Sequence, residues 1–111
     1  QEKYFSCLKY IDGILGNSSS GLIEAPSFKI GTINLGDRQK GRLSAKSVIS
    51  CNSKKSEIIK SINFLYSEKF KKILKCIENP YYKENTSNKV ISILKNEIPK
   101  LSIQKQFYDF K

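Results

Sequence analysis

"GNSSSGLIEAPSFKIGTINLG", residues 16–36, carries the pattern that decides how this 111-residue chain folds. The apolar "GIL" at 13–15 runs into Gly16, three serines follow at 18–20, and a second apolar stretch begins at Gly21. A short apolar run closed by glycine reads as a buried strand, and serines ahead of an apolar stretch read as helix caps. Pro26 falls about two turns into that helix and kinks it. "GTINLG" at 31–36 is a second short strand. Working outward, Phe5, Leu8 and Ile11 recur at three-residue spacing with Tyr4 alongside, as one helical face does. Downstream, "DRQKGRLSAK" at 37–46 is a polar loop with Gly41 inside it, and "SVISC" at 47–51 resumes a strand. Helix, strand, helix, strand, loop, strand is the alternation of a parallel α/β sheet.

From Ser53 the texture becomes helical. Ile58, Ile62 and Leu65 share a face, and Phe70, Ile73, Leu74 and Ile77 continue at the same spacing. "ENPYY" breaks the pattern at Pro80, and Val90, Leu94 and Ile98 make a last face that Pro99 ends. The terminal "IQKQFYDFK" is aromatic and has no assigned structure. Residues 1–53 therefore read as a strand-and-helix part and residues 54–111 as C-terminal helices, with no internal repeat and no linker.

Composition narrows the classes. Hydrophobic residues make up 39% of the chain, enough for a core. No apolar run is long enough to span a bilayer and no signal segment opens the chain, so no membrane association is expected. The chain starts at Gln1 and contains no Met, which reads as a fragment or a processed chain. Cys7, Cys51 and Cys76 are odd in number, widely spaced and unaccompanied by His, which argues against a zinc site or a disulfide scaffold. Reduced cysteines packed in a cytoplasmic protein are the expectation. Lack of His also removes the side chain best suited to proton transfer at neutral pH.

The net charge of +10 raises a nucleic-acid hypothesis. Residues 1–53 hold seven basic and four acidic residues, and residues 54–111 hold thirteen and six, mostly Lys along helical stretches. A solvated basic face accounts for that distribution. The rival is a nucleic-acid or partner-binding module using those helices with Tyr81, Tyr82, Phe107 and Tyr108. Steep weakening with salt would distinguish it; no nucleic-acid partner is expected.

Serines between glycines attack, wrap a phosphate, or turn the chain. An esterase elbow needs G-x-S-x-G, but Ser20 stands where the second Gly belongs, and no His is present to activate a serine. Gly16 and Gly21 have P-loop spacing, yet Leu22 and Ile23 replace the Lys and Ser/Thr that an ATPase requires. What remains is a strand feeding a helix through small residues, which aims backbone N–H groups and the helix dipole at an anion above the sheet. Ser18, Ser19 and Ser20 add donors, and Gly21 lets a ligand approach. Glu24, four residues after Ser20, can accept two hydrogen bonds from a ribose diol, the logic of dinucleotide sites. The same spacing equally suits a capped helix with a solvent-facing Glu. Arg38 and Arg42 leave the C-terminal end of the next strand, where parallel sheets bind ligands, and guanidinium forks suit phosphates.

"GNSSSGLIEAPSFKIGTINLGDRQKGR" closely resembles the signature of hydrolysing UDP-N-acetylglucosamine 2-epimerases, with a gapless match from about Tyr4 to Cys51. The resemblance implies a GT-B fold, two Rossmann-like halves with the sugar nucleotide between them. This chain would be the later part of the C-terminal half, and its partners would be the N-terminal catalytic half and, in a homo-oligomer, further copies. It implies that Ser18 and Ser19 contact the UDP diphosphate, that Glu24 holds the ribose and that Arg38 faces the nucleotide, with Ser20, Gly21 and Arg42 as further candidates. The implied reaction eliminates UDP to a glycal, adds water and releases N-acetylmannosamine for sialic-acid-type sugar synthesis, with no cofactor and no metal. Its acid–base groups match nothing here. Non-hydrolysing relatives lack "GDRQKGR", which favours the hydrolysing branch. Close relatives act on UDP-N,N′-diacetylbacillosamine, the alternative substrate.

Overall fold

The computed structural model describes residues 2–100. Helix α1 (Glu2–Leu8) leads into strand β1 (Gly13–Gly16), then helix α2 (Ser20–Ile23), a 3-10 turn (Ala25–Phe28) and strand β2 (Gly31–Leu35). Strand β3 (Val48–Cys51) follows, then helices α3 (Lys55–Leu65), α4 (Glu68–Lys75) and α5 (Thr86–Glu97), and a last 3-10 turn (Ile98–Lys100). The strands form one sheet in the order β1-β2-β3, parallel throughout, with Gly13 opposite Gly31 and Thr32 opposite Val48. This is the Rossmann-like α/β arrangement that the alternation of apolar runs implies. β1 and β2 are joined through α2. β2 and β3 are joined by residues 36–47 without a regular helix.

Strand residues alternate faces, so β2 serves two layers. Ile33 packs with Leu65 and Phe70, and with Leu35, Ile49 and Ile62 at the margin, under α3 and α4. Thr32 faces the other way and donates from Oγ1 to the carbonyl of Gly21 at 2.8 Å. Here the glycine is required. A Cβ on Gly21 would lie 2.4 Å from Thr32 Cγ2, so only a bare Cα lets α2 settle onto the strand. Gly31 plays the same part on the opposite face, where a Cβ would meet the Phe70 ring at 2.7 Å. A second cluster of Leu8, Ala25 and Ile30, joined by Phe5, Ile14 and Phe28, seals α1 against the 3-10 turn.

Several local expectations are corrected. The serine-capped helix runs for one α turn and stops before Pro26 rather than continuing through it. The ring removes an N–H and disfavours the α region at the residue before it. The chain then tightens to 3-10 geometry and leaves through Lys29 in the left-handed region, φ 56°. Ser19 itself adopts helical dihedrals and makes no side-chain cap; Ser18 Oγ instead accepts the Ser20 N–H at 3.3 Å. β1 is not fully buried: Leu15 is 51% exposed, because α3 packs chiefly over β2 and β3 and leaves that face of β1 open.

The apolar face from Ile58 to Leu74 is divided between two helices, and Ile77, expected to continue it, lies beyond the end of α4 at Lys75. Ser67, in an extended conformation, interrupts that face. Its hydroxyl donates to the Phe64 carbonyl at 2.6 Å, closing α3, and accepts the Phe70 N–H at 3.2 Å, opening α4. Ser67→Ala is expected to lower unfolding stability by about 1 kcal/mol, the usual worth of an N-cap. Urea denaturation at fixed pH measures it, and an unchanged midpoint would refute the cap. Nearby, the Tyr66 hydroxyl donates to Asp12 at 3.2 Å, and that carboxylate holds the phenol's pKa above its ordinary value.

The break at "ENPYY" is a strap rather than a free turn. Asn79 Nδ2 donates to the Ile23 carbonyl at 2.8 Å and to Ser27 Oγ at 2.6 Å, and the Tyr81 hydroxyl donates to the Leu43 carbonyl at 2.9 Å. By contrast the face of α5 is not buried: every residue of that helix is exposed, Val90 and Leu94 included. Of the cysteines, Cys7 and Cys76 are exposed and Cys51 is half-buried, so they are free but not packed away as expected. The aromatic tail at 103–111 lies outside the described residues. No helix among the described residues is long and apolar enough to cross a membrane.

Candidate functional site

In a parallel sheet all C-terminal strand ends lie along one edge. β1 and β2 are neighbours, so the serine turn after Gly16 and the arginine loop after Leu35 stand side by side. Gly36 turns the chain out of β2 with φ 69°, a conformation that side chains resist. From there Arg38 Nη1 reaches Asn17 Oδ1 at 3.4 Å. The adjacent Gln39 donates from Nε2 to the Asn17 main-chain oxygen at 2.7 Å. Arg38 is exposed, and Ser18 is exposed beside half-buried Ser19. The backbone N–H groups of Ser18 and Ser19 have no acceptor among the described residues. Two free N–H donors and an exposed guanidinium thus share one rim, a setting for an anion. With α2 only one turn long, these donors rather than a helix dipole carry that electrostatic argument.

Glu24 stands at the C-terminal end of α2, its N–H bonded to the Ser20 carbonyl at 2.9 Å. The side chain is half-buried, and Oε2 is fully buried with no hydrogen-bond partner among the described residues. A buried acceptor without a donor costs about 1–3 kcal/mol, and more when charged. A hydroxyl that gained access to that oxygen would supply the missing donor.

The remaining candidates are occupied otherwise. The Ser20 hydroxyl is hydrogen-bonded to the phenol of Tyr4, which pins α1 to the serine turn. Gly21 faces Thr32, so its missing side chain is used for packing. Arg42 is exposed and borders a recess of about 300 Å³ with Asn34, Gln39, Ser44 and Ser50; Ser18, Ser19, Glu24 and Arg38 are not among its walls. Asn17, Gln39 and Tyr4 are the residues that sequence reading missed. Burial of Gln39 had no sequence signal beyond its place between Arg38 and Lys40.

Comparison with known proteins extends the picture. The family model described as UDP-N-acetylglucosamine 2-epimerase matches residues 1–95. Over 109 residues the chain is 47% identical to polysialic acid biosynthesis protein P7 of Escherichia coli, covering 97% of this chain and 28% of that protein. Over 109 residues it is 40% identical to the GDP/UDP-N,N′-diacetylbacillosamine 2-epimerase (hydrolyzing) of Campylobacter jejuni, again 97% and 28%. A 47-residue stretch, 42% of this chain and 12% of the relative, is 47% identical to the UDP-N,N′-diacetylbacillosamine 2-epimerase (hydrolyzing) of Legionella pneumophila. The chain therefore spans 28% of the length of the first two. The likeness also runs beyond Ser53, so the C-terminal helices share it.

Proposed function

Because the chain belongs to the UDP-N-acetylglucosamine 2-epimerase family, we propose that it forms the nucleotide-holding part of a hydrolysing 2-epimerase acting on a UDP-sugar. The observation that carries the reading is the buried, unpartnered Glu24 Oε2. It provides an acceptor for a ribose hydroxyl, while Ser18, Ser19 and Arg38 address the diphosphate. Residues 1–53 supply the nucleotide part of a Rossmann-like half and residues 54–111 the helices after it. A catalytic N-terminal half, an oligomeric assembly and a cytoplasmic setting complete the proposal for the whole enzyme.

In the proposed reaction a base removes the C2 proton of UDP-N-acetylglucosamine, the bond from C1 to the diphosphate oxygen breaks, and a glycal forms. Water adds across the double bond to give N-acetylmannosamine. Negative charge grows on the departing diphosphate as that bond breaks. Arg38 and the Ser18 and Ser19 N–H groups then bind the leaving group more strongly than they bind substrate, which lowers the barrier. The chain has no His, so the proton-transfer groups are assigned to the rest of the enzyme. UDP-N,N′-diacetylbacillosamine presents the same UDP handle and is the alternative substrate.

Release of N-acetylmannosamine and UDP from UDP-N-acetylglucosamine by the full-length protein tests the activity. Glu24→Gln tests the site. Replacing a charged double acceptor by an amide is expected to weaken UDP about three- to tenfold, the difference between charged and neutral hydrogen bonds. Pyrophosphate, which has no ribose, is expected to bind unchanged. Equal losses for both ligands in calorimetric titration would remove Glu24 from the ribose.

A further inference from the structure

Gln39 is only 5% exposed, although its neighbours Arg38 and Lys40 are both exposed. Its Nε2 is spent on the Asn17 main-chain oxygen at 2.7 Å, whereas its Oε1 is buried with no partner among the described residues. Packing alone would favour an apolar side chain of the same length, since a buried acceptor left unpaired is destabilising. What glutamine adds over such a residue is the donated bond. That bond crosses from the loop after β2 to the first residue after β1, and Arg38 reaches the side chain of the same Asn17 at 3.4 Å. Gln39 belongs to neither apolar cluster, so removing its amide leaves both intact.

We propose that Gln39 is a positioning residue of the nucleotide site, fixing the arginine loop to the serine turn so that both address one diphosphate. The inference rests on the nucleotide reading above. Two exposed loops held apart would each have to be ordered by the ligand, at the expense of affinity; a bond made beforehand removes that cost.

Gln39→Met keeps length and burial but cannot donate. In the full-length protein, titrated with UDP, it is expected to raise Kd about three- to tenfold, the worth of one neutral hydrogen bond. Its urea midpoint is expected to be unchanged or higher. Arg38→Ala is expected to cost less affinity in the Q39M background than in the wild type, because the loop is no longer aimed; a merely structural glutamine gives no such coupling. Gln39→Leu, which likewise cannot donate and brings no charge to the diphosphate, carries the same expectation if Q39M does not fold cooperatively. Unchanged affinity, or losses that simply multiply, would overturn the positioning role while the nucleotide reading stands. If the wild type fails to bind UDP, or Arg38→Ala alone has no effect, the nucleotide reading falls and this role with it.

Discussion

Phe70→Ala is expected to lower the unfolding free energy by about 3–5 kcal/mol, the usual range for emptying an aromatic site in a core. Phe70 is 1% exposed and joins Ile33 of β2 to Leu65 of α3. Its ring also meets Phe64 at 5.2 Å, edge on. Gly31 has no side chain to occupy the space the ring leaves, since a Cβ there would already touch Phe70 in the intact protein. Collapse into the cavity is therefore limited on the strand side. Domains of this size have total stabilities of about 5–15 kcal/mol, so the loss amounts to a large fraction. Urea denaturation of the variant measures it directly, and a loss below about 1 kcal/mol would contradict the packing described.

For ligand binding the largest change is expected at Arg38. Charge-assisted hydrogen bonds contribute about 1.5–3 kcal/mol, so Arg38→Ala is expected to weaken UDP roughly ten- to a hundredfold. Lysines on the helices provide the comparison. Lys71 is exposed and paired with Glu68 at 2.8 Å, and Lys54 lies at the start of α3. Replacing either by Ala is expected to leave UDP affinity nearly unchanged: Lys71 lies near Asp12, at the other end of the strands, and Lys54 is an exposed charge that salt screens. Calorimetric titration of the three variants separates a local site from a general basic field. Should the lysines matter as much as Arg38, the anion would bind elsewhere.

The parts legible in the sequence are those governed by local rules. Alternating apolar runs located all three strands, and the glycine-bounded "GTINLG" located the central one, because a strand covered on both faces is apolar and short. Helical spacing found α3 and α4 but joined them, since Ser67 reveals itself as a cap only when its backbone is seen to be extended. The reach of α2 was overstated because Pro26 can stand either at a kink or just inside a new 3-10 turn. At the site, residue types suggested Ser18, Ser19, Glu24 and Arg38 as a group. The arrangement brings Arg38 and the serine turn to one residue, Asn17. The strand–helix–strand order implies that β1 and β2 are neighbours; that both loops meet at Asn17 is encoded by no spacing along the chain. The Ser20–Tyr4 and Gly21–Thr32 contacts likewise join residues distant in sequence.

The exposure of α5 along its whole length bears on how protection against hydrogen exchange is distributed. β2 hydrogen-bonds to a strand on each side and is covered on both faces, so most of its amides exchange only through openings that disrupt the sheet. The twelve residues of α5 have no such cover among the described residues, and an isolated helix of about that length is marginal in water. Its amides exchange through local helix–coil fluctuation, at rates set by its own sequence. Among the described residues, deuterium uptake over residues 86–97 thus reports on that helix, and uptake over residues 31–35 on the sheet.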